Sequence, residues 1–368
     1  MRIKIAKTVS YLLLFSIAVS CNEPAKVNNE DFYTINDYPR VEKIDAHVHI
    51  NTTDTLMLSL ARQNNFRLIS LNVDAPGYPT LPEQMNVASQ HARNFPRILS
   101  FATSFDMTGF DEPAWQQSVL QYLDSSFNNG AIGVKVWKNI GMQLKDKSGG
   151  FIMIDHPRFD TIFNFIASKD KTLVGHIGEP KNCWLPLDSM TVKNDKEYFS
   201  NHPQYHMYQH PEFPSYDDQV NARDNVLRKH PDLRFMGAHL GSLEWSVDAL
   251  AARLDSFPNM AVDMAARISH LQYQAKTDRK KVIEFFEKYQ DRLIYATDLV
   301  YNTDSKADDF TQKCTDTWKN HWKFLTTDEL MQAPEVEGSF QALHLPRTII
   351  DKIYRINAGK WFPTLKTE

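Results

Sequence analysis

Several common classes of protein are excluded by what this chain lacks. It holds 3 cysteines in 368 residues and no Cys-x-x-Cys pair, so neither a disulfide framework nor a thiolate metal site is written into it. Its 41 basic residues stand against 45 acidic ones, and a net charge of −4 leaves no basic surplus for a nucleic-acid partner. There is no internal repeat and no low-complexity tract. The N-terminal apolar run, Val9 to Val19, is too short to span a bilayer comfortably. No glycine-rich phosphate turn follows the first β-rich run: Ile50-Asn51-Thr52-Thr53 stands where an open dinucleotide-binding sheet would carry one. What remains is 42% hydrophobic and 23% charged, the composition of a globular chain with a sizeable core.

The short apolar run has its own reading. Arg2, Lys4 and Lys7 precede it, and it ends in Ala18-Val19-Ser20-Cys21, a small residue directly before cysteine. This pattern predicts a bacterial lipoprotein signal over 1–20, cleaved before Cys21, which then carries the lipid. Ala18 departs from the leucine more common three places before that cysteine, and an ordinary secretory signal is the alternative. Either route implies export, with lipidation placing the protein in the periplasm or cell envelope on a membrane anchor. Residues 21–40 then form a polar tether and 41–368 the folded domain. Cys183 and Cys314 remain, and two cysteines so far apart are expected to be buried and unpaired.

Short β-rich runs alternate with helical patterns along the rest of the chain. The expected strands are Val41–Ile50, Arg67–Val73, Ile98–Ser104, Ala131–Trp137, Thr172–His176, Leu233–His239, Asn259–Met264 and Leu293–Asp298. Helical stretches between them include Leu81–Asn94, Glu112–Phe127, Phe159–Lys169, Asp217–Lys229, Ser242–Ser256 and Arg279–Tyr289. Such alternation implies a parallel sheet, and this many units predict an α/β fold closed into a (β/α)8 TIM barrel. An open doubly wound sheet is the runner-up. The connections after strands four and five are long, so the barrel carries its decoration at the C-terminal face, where barrel enzymes place their active sites.

Ligand-type residues stand at the ends of those strands. Asp45, His47 and His49 fall at alternate positions of strand one and are expected on one face. Burying two imidazoles side by side is costly without a purpose, and a shared metal is the chemistry that requires it. Asp45 would orient a ligand from behind. His176, His239 and Asp298 each close a later strand. Gly178 and Gly241 follow the two histidines closely, as if to let the backbone approach a ligand. Lys135 and Trp137 are expected to point inward from strand four, Asp263 inward from strand seven, and Arg267 lies in the loop after it. Arg267 could grip a carboxylate in fork geometry or make a surface salt bridge.

As a set, Asp45-Ala46-His47-Val48-His49, His176, His239 and Asp298 resemble the amidohydrolase superfamily, and within it the amidohydrolase-2 branch of lactonases and non-oxidative decarboxylases. The resemblance extends from Val41 to the Ile356-Asn357-Ala358 segment. It implies one divalent metal, zinc or manganese, on His47, His49, His176 and Asp298. It also implies catalytic roles for Asp298 as general base and His239 as the group that polarises the substrate or holds the attacking water. Some superfamily members carboxylate a strand-four lysine to bridge two metals. Here Lys135 is expected to stay unmodified, anchoring a substrate carboxylate or pairing with Glu179 or Asp45. Lys135, Trp137, Glu179 and Arg267 form the expected substrate-binding set.

The implied activity is water-mediated cleavage of a lactone, ester or amide in a small polar organic molecule. Non-oxidative decarboxylation is the alternative, and a non-catalytic ligand-binding lipoprotein the reading from another class. The connection Ile177 to Tyr216, with Trp184, Tyr205, His206 and Tyr208, is expected to act as a lid. The same aromatic loop would serve equally as a homodimer contact.

Overall fold

The computed structural model describes residues 31–365. The expected signal peptide over 1–20 and expected lipidation site Cys21 lie outside the described residues, as does the first half of the expected tether. No described helix is long and apolar enough to cross a membrane. The tether ends earlier than residue 40: Phe32 bridges Pro346, the Tyr33 hydroxyl donates to Asp351 at 2.9 Å, and Tyr38 is buried. From Phe32 onward the chain is docked on the fold.

Two parallel sheets carry the architecture. One has the order β3-β2-β1-β9 and the other β4-β5-β6-β7-β8. Their strands are β1 (Lys43–Ile50), β2 (Phe66–Leu71), β3 (Leu99–Ala102), β4 (Gly133–Val136), β5 (Thr172–Gly175), β6 (Arg234–Gly237), β7 (Met260–Asp263), β8 (Leu293–Ile294) and β9 (Leu299–Tyr301). Backbone hydrogen bonds cross both seams between the sheets. Ile132 N donates to Phe101 O and Thr103 N to Gly133 O, each at 2.9 Å, while Ala46 N donates to Tyr295 O at 3.0 Å and Asp298 N to His47 O at 2.8 Å.

Side-chain alternation sorts each strand into two faces. Val134, Leu173, Phe235, Val262 and Leu293 pack outward into the main core with the surrounding helices. Ile69, Val174, Met236, Ala261 and Ile294 form a separate inner cluster, closed from below by Trp361 and Phe362 of the C-terminal segment. Gly175 permits this packing, since a Cβ there would meet the Phe235 ring at 2.3 Å. Asn357 fixes the plug by donating to the carbonyls of Gln290 at 2.7 Å and Leu293 at 2.8 Å.

Strand one corrects the expected alternation. Its register with β2 shifts between Asp45 and Val48, a bulge that reverses the faces midway. Ile44 and Ala46 therefore face inward, whereas Val48 and Ile50 join the outer core. Asp45 points out to the Trp318 indole, and His47 and His49 point in. The three do not share a face.

Further elements were not expected from periodicity: a helix over Leu56–Gln63, a helix over Ala307–Thr326, and the antiparallel hairpin β10 (Leu330–Ala333) and β11 (Val336–Gln341). The long connection after β5 also contains a helix, Lys193–Asn201. Asp195 on that helix accepts from Asn182 at 2.9 Å and lies 3.2 Å from His270, which fastens the loop to the body of the fold. Cys183 and Cys314 are free and buried.

Candidate metal centre

The site is assembled from strand ends, and its backbone is unusual there. Strand eight stops at Ile294, so Asp298 lies beyond it, at φ +68, rather than closing it. His239, Leu240, Gly241 and Ser242 follow β6 with φ between +56 and +61, a left-handed turn. Such conformations cost about 1–2 kcal/mol for each non-glycine residue. Surrounding bonds hold the turn: His239 N donates to Asp263 Oδ1 at 2.7 Å and Ser242 Oγ to Ile177 O at 2.7 Å. Gly241 serves this packing rather than a ligand's approach, because a Cβ on it would meet Met260 at 2.9 Å.

Hydrogen bonds fix the tautomer of each imidazole. His47 Nδ1 lies 2.9 Å from Asp263 Oδ2, and His49 Nδ1 lies 2.7 Å from the Leu71 carbonyl. Both partners can only accept, so each Nδ1 carries the proton and each Nε2 a lone pair. Asp298 Oδ1 stands 3.2 Å from His47 Nε2 and 3.2 Å from His49 Nε2. Two imidazole lone pairs and a carboxylate oxygen thus converge, with Lys135 Nζ 3.0 Å from His47 Nε2 at their edge. The two imidazoles and the carboxylate, with ligand atoms all within 4.8 Å of one another, form a candidate metal site. Asp298 retains 29% of its side-chain exposure, which leaves the cluster open on one side.

A second chain of imidazoles lies beside it, with the His47 and His239 ring centroids 5.1 Å apart, while His176 is not among the groups that meet within 4.8 Å. His239 Nδ1 lies 2.9 Å from the Ala265 carbonyl and so carries the proton. Its Nε2 accepts from His176 Nδ1 at 3.2 Å, which leaves the His176 Nε2 lone pair buried and without a partner. A buried orphan acceptor is costly, and a cation is what answers it. The donor set therefore fits a divalent ion. His239 thus faces the Ala265 carbonyl through Nδ1 and His176 through Nε2.

Electrostatics agree with this assignment. Burial pushes His47, His176 and His239 below the ordinary imidazole range, and nearby Lys135 lowers each of them further. They stay neutral and able to ligate. Burial pushes the Asp298 carboxyl up, and it falls well below the usual carboxylate range only with a proton on His47, His49 or His239, or an equivalent cation in their midst. Asp263 behaves alike, raised by burial and lowered further by His47.

Lys135 points inward as expected, but its partner differs. Nζ lies 3.0 Å from His47 Nε2, and burial lowers its pKa to about 8. The pairing with Glu179 or Asp45 is not found: Glu179 pairs with Lys138, and Asp45 accepts from Thr297 Oγ1 at 2.7 Å and Trp318 Nε1 at 2.9 Å. Asp45 thereby clamps the Thr297-Asp298 turn instead of orienting an imidazole. Trp137 and Glu179 line a separate cavity of about 360 Å3 with Lys138, Tyr198 and Tyr205. Arg267 is buried, makes no ion pair among the described residues, and donates from Nη1 to Ala266 O at 2.9 Å, so the surface salt bridge is replaced by an interior cation.

Sequence reasoning placed Asp263 inward but missed its double duty. Besides His47 it accepts from His239 N and from Ala265 N at 3.1 Å, joining both imidazole chains through one carboxylate. Tyr78, whose ring meets His49 edge-on at 5.3 Å, was also missed, since nothing in its loop has a period. An Asp263→Asn variant is expected to bind metal about 10–100-fold more weakly, because one amide oxygen cannot serve both imidazole chains. Competition with a chromogenic chelator measures this, and unchanged affinity would remove Asp263 from the assignment.

The family model described as Amidohydrolase, of the amidohydrolase-2 branch, matches residues 171–364, and the chain belongs to that family. The matched span includes His176, His239, Asp263 and Asp298, while His47 and His49 precede it. No curated protein matches the sequence. Among solved structures, 2,6-dihydroxybenzoate decarboxylase from Rhizobium is similar at 14% identity over 88% of this chain and 98% of that one, with a TM-score of 0.49. Dihydroorotase from Saccharomyces cerevisiae is similar at 11% identity over 88% and 84%, with a TM-score of 0.43. Dihydropyrimidinase from Brevibacillus agri is similar at 13% identity over 86% and 68%, with a TM-score of 0.42. Family and site together define a metal-dependent enzyme of the amidohydrolase superfamily acting on a small organic substrate.

Proposed function

We propose that this enzyme is a hydrolase cleaving a lactone, ester or amide bond, built on a closed (β/α)8 barrel and working with one divalent ion, zinc, held by His47, His49, His176 and Asp298. The observation that carries the reading is the convergence of His47 Nε2, His49 Nε2 and Asp298 Oδ1 within 4.8 Å of one another, on the side where Asp298 is open. The ion supplies Lewis acidity and makes water acidic enough to serve as a nucleophile near neutral pH. Asp298, held ionised, takes the proton from the attacking water and returns it to the leaving group. Asp263 fixes His47, and His239 fixes His176, so the ligands need no rearrangement during the reaction. Lys135, unmodified in this reading, stands as the donor toward the oxygen that gains charge. Arg267 and the Trp137–Glu179 wall bind more distant parts of the substrate. Export on a lipid anchor at Cys21 completes the proposal.

The test is turnover of p-nitrophenyl esters and simple lactones, with and without a chelator. Hydrolysis that stops on chelation and returns with zinc supports the assignment. Carbon dioxide release from aromatic carboxylates without any ester or lactone cleavage would replace it with the decarboxylase.

A further inference from the structure

Two cavities open at the mouth of the fold. The polar one, of about 500 Å3, has Asp298 in its wall and belongs to the metal centre. The Ala307–Thr326 helix and the β10–β11 hairpin close it on the outside. The other, of about 360 Å3, has no proposed metal ligand in its wall, yet it lies close by. Trp137 in its wall stands two residues beyond Lys135, whose Nζ reaches His47, and Glu179 stands three beyond His176. An extended chain rises about 3.3 Å per residue, so the Trp137 end of this cavity lies roughly 7 Å beyond Lys135.

The lining chemistry narrows the occupant. The Tyr198 and Tyr205 rings are parallel to within 8°, with centroids 6.5 Å apart, and are 41% and 40% exposed. Large aromatic faces left open in a concave wall mark a surface that something covers. Trp137 and Phe213 add further rings, and Met142 and Met207 add thioethers, which pack well against aromatic edges. Charge is cancelled in place. Lys138 and Glu179 are the charged residues of this wall; they pair with each other, and Lys138 Nζ also lies 5.5 Å from the Trp137 ring centroid. Burial and then Glu179 push the Tyr198 hydroxyl up to about 12, so it too is neutral near pH 7. An ion entering here meets no unpaired counter-charge. Volume sets the last limit, since about 360 Å3 is near the lower end of small-molecule sites and suits one or two fused rings.

We infer that this cavity binds an uncharged, planar aromatic group, stacked on the faces of Tyr198 and Tyr205 and set one short spacer away from the metal centre. Parallel faces favour a flat ring over an aliphatic one of equal area, because stacking adds to burial. The inference rests on the hydrolase reading only for the position of the scissile bond, and the binding itself needs no turnover.

Calorimetric titration of the full metal-loaded protein with three matched probes tests it. 2-Naphthol is flat and neutral, decahydro-2-naphthol is neutral but not flat, and 2-naphthalenesulfonate is flat but charged. 2-Naphthol is expected to bind about tenfold more tightly than either of the others. Tyr205→Ala should weaken 2-naphthol by about tenfold, whereas Tyr205→Phe keeps the ring face and should keep the affinity. Tyr205 is 40% exposed, so its variants are expected to hold the wild-type melting midpoint and metal content. No binding of 2-naphthol, equal binding of its saturated counterpart, preference for the sulfonate, or undiminished binding in Tyr205→Ala would each overturn the inference. So would a dimer that falls apart in Tyr205→Ala while the wild type binds none of the probes. Naphthol binding without cleavage of any lactone or ester rejects the hydrolase reading alone, and ester cleavage without naphthol binding rejects this inference alone.

Discussion

An Asp298→Asn variant is expected to lose turnover by about a thousand-fold or more, the upper part of the range for removing a general base. The amide is nearly the same shape, and asparagine tolerates the φ of +68 at this position, so the fold survives. What disappears is the charge. In the native protein Asp298 Oδ1 lies 3.2 Å from two imidazole nitrogens, an arrangement that a cation in their midst stabilises. The amide weakens that cation's hold and cannot accept the water's proton. Steady-state kinetics with metal in excess, beside a melting curve, separate chemistry from stability. A kcat within about tenfold of the wild type would remove Asp298 from the role of base.

The second large effect falls on stability. Trp318 is fully buried, stacks on Phe66 at 4.3 Å between centroids, and donates to Asp45 at 2.9 Å. Trp318→Ala is expected to cost about 3–5 kcal/mol, the usual range for deleting a core aromatic. Asp45 adds to the loss, since burial already pushes its pKa up to about 7 against the bonds from Thr297 and Trp318. Removing one of those donors leaves a buried carboxylate less satisfied and the Thr297-Asp298 turn less firmly held. Trp318→Phe keeps the stack but not the donor, and should cost about 1–3 kcal/mol. Urea denaturation measures both. An Ala variant within about 1 kcal/mol of the wild type would show that the Ala307–Thr326 helix does not brace the site.

Much of this site was legible because alternation in a strand is a strong signal. Lys135 and Asp263 face inward where a period of two puts them, and His47 and His49 reach the same centre as Asp298. The errors come from backbone irregularity. The bulge in β1 turned Asp45 outward, and no residue type in Asp45-Ala46-His47-Val48 announces it. The left-handed turn at His239 exposes its Nδ1 to the Ala265 carbonyl and so settles which nitrogen carries the proton, a matter of tertiary hydrogen bonding that no spacing encodes. The Ala307–Thr326 helix and the β10–β11 hairpin follow the last strand that touches the centre, yet they form the outer wall of its polar cavity. Their role depends on where the chain returns in space.

The account stands or falls on a cation at the meeting point of His47, His49 and Asp298, with His176 proposed as the fourth ligand. Elemental analysis of protein purified without added metal, then reconstituted with zinc, tests it most directly. The expected result is about one divalent ion per chain, lost on substituting both strand-one histidines in a His47→Ala/His49→Ala variant that remains folded. A chain with no stoichiometric metal after reconstitution, or a double variant that binds it undiminished, would contradict the account.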